Sequence, residues 1–289
     1  MTFLFAFMRA THFAALMTAF GGNAYLVLIG KLPDPWPRAS RLRILFGIAA
    51  IIALLTALVA LCLTAGQMSG DWHAAYNPNA IVSVVMTTFY GRIFLIRVFV
   101  LAGLVLSSVL ARRPLAPLNT MLAGVALAML GLTSHAAASG TGSSLMAAND
   151  ALHLLCAGFW IGGLSVLGLI VVERKPGLSS ALRVFSRWGF YAVLLLTIAG
   201  TINALVILRG SFASLSRIYL TVLAVKIILA AIMISLALAN RLWLTPAVRA
   251  GDADPTEALR WSIASELGIG VVIVFLASLL GLLPYSMPA

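Results

Sequence analysis

The chain has 289 residues, of which 62% are apolar and 9% charged, with a mean hydropathy of +1.07; this lies far outside the soluble range and makes the lipid bilayer its solvent. A net charge of +11 would suggest nucleic acid for a soluble chain, but here the basic residues collect between apolar runs, which points to membrane topology and away from a nucleic-acid partner. The two cysteines, Cys62 and Cys156, both lie inside apolar segments and exclude a disulfide framework.

In a bilayer the backbone polar groups can be satisfied only in helices or in a closed barrel. The apolar runs are uninterrupted rather than alternating, which selects helices. The expected fold is therefore an all-α integral membrane protein of about eight transmembrane helices. With ~20 residues needed per crossing, the spans fall near 5–29, 43–66, 92–111, 118–138, 148–172, 184–208, 218–240 and 259–283. The first run carries Arg9 and is closed by no small-residue cleavage site, so it reads as a mature helix and not as a signal peptide. The longest connection, 67–91, has an apolar part that suits a short re-entrant or surface helix.

Thirteen of the nineteen Lys and Arg residues fall in alternate connections, around Lys31 to Arg43, Arg112 and Arg113, Arg174 to Arg187, and Arg241 to Arg260. The positive-inside rule then places those connections in the cytoplasm and both termini outside. Lys226, Arg97 and Glu266 lie within spans, where a charge pairs or lines a wet cavity. A Lys226–Glu266 pair is disfavoured by their different depths. Asn23, Asn203 and Asn240 read as hydrogen-bond glue between helices.

The first span carries His12 and, nine residues on, Gly21-Gly22; the fifth carries His153 and, nine residues on, Gly162-Gly163. This predicts two parallel four-helix halves, residues 1–140 and 141–289, within a single membrane domain. Nine residues is two and a half turns, so the first glycine points away from the histidine face. The glycines are expected to make close helix contacts, leaving the imidazoles to face something else.

All four histidines lie toward the outer face: His12 in span one, His73 in the loop after span two, His135 near the end of span four, and His153 in span five. Cys156 is one turn below His153, and Met8, Met68, Met86 and Met146 lie in the same layer. Imidazole suits copper and zinc, while sulfur biases a site toward Cu(I), so the mixture favours copper. The predicted ligands are His12, His135, His153, His73, Cys156 and Met146, with the buried imidazoles sharing one ion. Asn149 and Asp150 are expected to cap the start of span five. The chain shows no distinctive acid, base or nucleophile arrangement, so no enzymatic activity is expected.

The segments ALHLLCAGFWIGGL (151–164), FSRWGFYAVLLLTIAGTINAL (185–205), VLAVKIILAAIMISLALANR ending at Arg241, and ALRWSIASELGIG (258–270) resemble the CopD copper-resistance membrane proteins. ATHFAALMTAFGGNAYL and the SHAAASG at 134–140 are similar to that family's first and fourth helices. The resemblance implies a bacterial inner-membrane protein that assists copper uptake and homeostasis alongside a periplasmic copper carrier of the CopC type. Neither a Walker A motif nor room for a nucleotide-binding domain is present, so ATP-driven pumping is not expected. The inner half lacks histidine and cysteine, and no ligand-by-ligand path across the bilayer is visible. The alternative function is a haem-binding membrane cytochrome with His12 and His153 as axial ligands. Oligomeric state is not legible.

Overall fold

The structure, a computed structural model, describes residues 2–30, 39–110, 115–132, 143–172, 177–209, 215–250 and 254–283. The described helices are, in chain order, α1 (Thr2–Ile29), α2 (Ala39–Ser69), a 3-10 turn (Trp72–Tyr76), α3 (Pro78–Thr87), α4 (Phe89–Val109), α5 (Ala116–Leu132), α6 (Ser143–Val172), α7 (Leu178–Arg209), α8 (Arg217–Ala239), a π-helical turn (Asn240–Leu244), α9 (Thr245–Ala250) and α10 (Asp254–Leu280). Seven of these are long and apolar enough to cross a membrane. The eighth expected span is α5, whose 17 described residues meet the lower end of the ~17–25 that a crossing requires. Several helices exceed the expected spans by a turn or more, as in α2 and α7. Hydropathy marks only the apolar stretch, whereas a helix continues into its polar ends.

The connection between α2 and α4 folds as the sequence leads one to expect. Asp71 accepts a bond from the His73 backbone N–H at 2.9 Å and starts the 3-10 turn. Asn77 caps α3 with Pro78 in its first turn, and Thr88 caps α4 by accepting from Gly91 N at 2.8 Å. These side chains satisfy amide donors that a helix leaves open at its start. At the other end of the molecule, Pro246 lacks an N–H and would crowd the Leu242 carbonyl of a regular helix. The chain widens one turn ahead of it, and Thr245 N bonds Asn240 O. That π turn sets the direction of Asn240.

Successive spans alternate in direction, so the start of α1 and the end of α10 share one face of the bundle. Arg9 Nη1 donates to Gly281 O there at 3.1 Å. On the opposite face, where the basic connections gather, the Tyr25 hydroxyl donates to Ala181 O at 2.7 Å. We refer to these as the amino face and the basic face.

The centre of the bundle is the α1–α6 pair. Of the apolar window of α6, 56% is buried, against 6% for the stretch that runs through α8. The two central helices advance together, with Met17 and Phe20 at Gly158 and Gly22 at Val166. They approach through bare backbone: a Cβ on Gly21 would collide with the Gly158 carbonyl, and one on Gly162 with the Met17 carbonyl and the Gly22 amide. Small residues permit this where lipid supplies no hydrophobic force between helices, as the spacing of Gly21 and Gly162 leads one to expect. An alanine stripe on α2 (Ala49, Ala50, Ala53, Ala57) is likewise buried in the core. Outward-facing residues such as Ile48, Leu55, Phe99, Leu195 and Ile228 are exposed and suit acyl chains.

One difference between the halves bears on function. In the first, α2 packs along α4; in the second, the described parts of α7 and α8 barely meet.

Candidate functional site

His12 is buried in the amino half of α1, and its ring turns to α2. Its Nδ1 lies 2.9 Å from Thr56 Oγ1. A threonine hydroxyl has one proton, and that of Thr56 is directed at Ile52 O, 2.6 Å away in the preceding turn. His12 Nδ1–H must therefore donate to Thr56, which leaves Nε2 as the lone-pair nitrogen of a neutral ring. Nε2 is fully buried and has no hydrogen-bond partner. Metal-binding histidines are commonly held in this way, with one nitrogen anchored and the other free. Arg97 of α4 is buried alongside, near enough for its charge to act on the ring, and its Nε also lacks a partner.

His153 occupies the matching depth on α6 and turns to α7 and α8. Gly200 leaves room for its ring, since a Cβ there would lie 3.2 Å from His153 Cε1. The His153 Nδ1 atom is buried and unpartnered, and Lys226 of α8 is close enough for its charge to reach the ring. One turn toward the amino face, Asn149 Nδ2 donates to Asn203 Oδ1 at 2.6 Å and to Ala199 O at 3.0 Å, and Asn203 Nδ2 donates to Asp150 Oδ1 at 2.7 Å. Because α6 starts at Ser143, Asn149 and Asp150 sit in its second turn. They are not caps, as expected from sequence, but ties between α6 and α7. Asn203 is interhelical as expected; Asn23 is not, since it bonds Ala19 O of its own helix at 2.7 Å.

The other predicted ligands are dispersed. His73 is exposed in the 3-10 turn on the amino face, where its Nδ1 pairs with the Tyr76 hydroxyl at 2.5 Å. Cys156 is buried in α6 and Cys62 half-buried in α2, both as free thiols. Met146 lies seven residues before His153, on the same stripe of α6. His135 lies outside the described residues. Among the described residues no three His, Cys, Asp or Glu side chains converge on a metal position.

The expectation that the buried imidazoles share one ion is corrected by this geometry, and so is a haem held between His12 and His153. The two residues lie on opposite flanks of the α1–α6 pair, with the glycine contact between them. The nine-residue spacing that brings the glycines together is what turns the histidines apart.

A second polar cluster, not assembled from sequence, lies in the basic half. Glu266 of α10 is 1% exposed. It accepts from Asn240 Nδ2 at 2.5 Å and from the Trp160 indole N–H at 3.3 Å. Lys226 is thus not its partner, as the difference in depth suggests. Trp160 is seven residues beyond His153, so Met146, His153 and Trp160 form one stripe down α6. The stripe links the amino-half site to the buried carboxylate. Each residue of the cluster comes from a different one of the segments 151–164, 222–241 and 258–270; their convergence, not their spacing, makes the site.

Residues 1–145 match the family model described as Copper resistance protein D-like, N-terminal domain, and residues 179–280 match that described as Copper resistance protein D. The chain is 30% identical to Inner membrane protein YebZ of Escherichia coli (strain K12), over 98% of this chain and 99% of that protein. It is 34% identical to Copper resistance protein D of Pseudomonas syringae pv. tomato, over 86% of this chain and 85% of that protein. With Copper transport protein CutJ of Bacillus subtilis (strain 168) the identity is 29%, over 84% of this chain and 46% of that protein. No solved structure matches the chain.

Proposed function

The chain belongs to the copper resistance protein D family, and from that premise we propose that it accepts copper at the periplasmic face of a bacterial inner membrane and mediates its uptake. The observation that carries the proposal is the state of the two intramembrane imidazoles, His12 buried and His153 half-buried. His12 is anchored through Nδ1 with Nε2 free, and His153 holds an unpartnered ring nitrogen at the same depth of the second central helix. An intramembrane ionisable group without a partner is costly unless function retains it.

The names of the relatives, a copper resistance protein, a copper transport protein and an inner membrane protein, support the choice of ion and membrane. The positive-inside rule assigns the basic face to the cytoplasm and hence the amino face, with both termini, to the periplasm. On that assignment His73 and Met146 lie nearest the entrance, where a soluble carrier of the CopC type would deliver the ion. The matches of the two family models, one mostly in each half of the chain, support the division into two four-helix repeats. Beyond His153 the stripe on α6 leads to Glu266, which gives the basic half the polar station that its lack of histidine and cysteine had hidden.

The test is copper accumulation in bacteria lacking their own member of this family. Expressing the wild-type chain should raise cell copper several-fold at limiting external copper, and His153→Ala should return it to the level of the empty vector. Unchanged cell copper with the wild-type chain inserted in the membrane would refute uptake.

A further inference from the structure

We infer that the copper site is Asp150 together with His153, and that the Lys226 ammonium is a tethered cation which balances Asp150 until the metal replaces it. The inference rests on the copper reading above and assigns ligands within it. By sequence Asp150 reads first as a helix cap, with a role in holding His153 the lesser alternative, and Lys226 as a charge that pairs or lines a wet cavity.

The two flanks of the α1–α6 pair differ in charge. Three residues before His12 stands Arg9, and three residues before His153 stands Asp150. On a helix that spacing puts both side chains on one face. On the third span of each half a cation reaches the imidazole: Arg97 beside His12, Lys226 beside His153. The balance of charge differs completely. Spans α1, α2, α4 and α5 contain no acidic residue at all, so no carboxylate of these spans offsets the arginine charges that act on His12. His153 has a carboxylate one turn away and a lysine that feels both groups. An aspartate and a histidine spaced i, i+3 repeat the arrangement by which helical bundles present carboxylate and imidazole to one metal.

The surroundings fit an exchange of cations. Asn203 of α7 bonds only Oδ1 of Asp150 and is itself held by Asn149 of α6, so the carboxylate is oriented without being consumed. The Nδ1 atom of His153 is buried with no partner. Lysine has a flexible four-carbon stem and a point charge, so its ammonium can leave without moving the helix. The described parts of α7 and α8 barely meet, whereas α2 packs along α4. An incoming copper ion, bound by the carboxylate and the imidazole, takes over the ammonium's charge at Asp150 and no other group needs to change.

The experiment measures copper affinity of the purified full-length protein in detergent, using Cu(I) with a competing chelator, and Cu(II) in parallel. Asp150→Asn, which retains the bond to Asn203, should weaken binding by roughly tenfold or more, and Lys226→Met should tighten it by a similar factor. Lys226→Met should have no effect when Asp150→Asn is already present, because the lysine acts through the aspartate. Wild-type affinity in both Asp150→Asn and Lys226→Met, with binding lost in His153→Ala, would overturn this assignment and leave the copper reading standing. A wild-type protein that binds no copper would overturn both.

Discussion

Replacing Gly162 with valine should eliminate folded protein. The added Cβ would fall on the Met17 carbonyl and the backbone of Gly21 and Gly22, and backbone cannot swing aside as the end of a side chain can. Overpacking a core ordinarily costs about 1–3 kcal/mol; here relief requires parting α1 from α6, the pair at the centre of the bundle. Gly21→Val should behave in the same way, since its Cβ meets the Gly158 carbonyl and the Phe159 backbone. Gly268→Ala is the control, with nothing within 4 Å of the new atom. The measurement is the monodisperse yield and melting temperature of detergent-solubilised protein. A Gly162→Val protein that melts with wild type would show that the two helices do not meet as described.

Glu266→Ala should destabilise the bundle more than Glu266→Gln. Removing the carboxylate leaves the Asn240 amide and the Trp160 indole buried with donors facing no acceptor, at about 1–3 kcal/mol for each, in addition to the void left by the side chain. Glutamine keeps an acceptor oxygen and nearly the same volume, so one of the two bonds to Asn240 and Trp160 survives. Thermal unfolding in detergent separates the cases: the alanine variant should melt several degrees below the glutamine variant. Equal melting of both with wild type would mean that the cluster carries no structural weight. Copper accumulation by the glutamine variant then reports on the carboxylate as a station for the ion, free of the folding defect.

Most of the fold was legible because lipid leaves few choices. Apolar runs of the right length give the spans, and the charge count gives their alternation. The connection between α2 and α4 showed its short helix through its apolar part, while the caps Asn77 and Thr88 came from the structure. The close approach of α1 and α6 was visible in Gly21 and Gly162, because only small residues allow backbones to touch.

The site was legible in part. The residue types named His12 on α1 and His153 on α6 at one depth, but depth alone does not show that rotation about the helix axes turns the two rings to separate flanks. The cluster of Glu266, Trp160 and Asn240 was hidden for another reason. Its members are more than seventy residues apart at their widest neighbouring step, and Asn240 is aimed by a π turn whose only signal is Pro246 six residues on.

The central claim is that this membrane protein binds copper through a buried imidazole of its amino half. The most direct test is the copper content per chain of the purified protein after loading and removal of free metal, wild type against His153→Ala, with insertion and melting checked in both. The account predicts bound copper in the wild type and its loss in the variant; equal copper content in the two proteins, or none in the wild type, would contradict it.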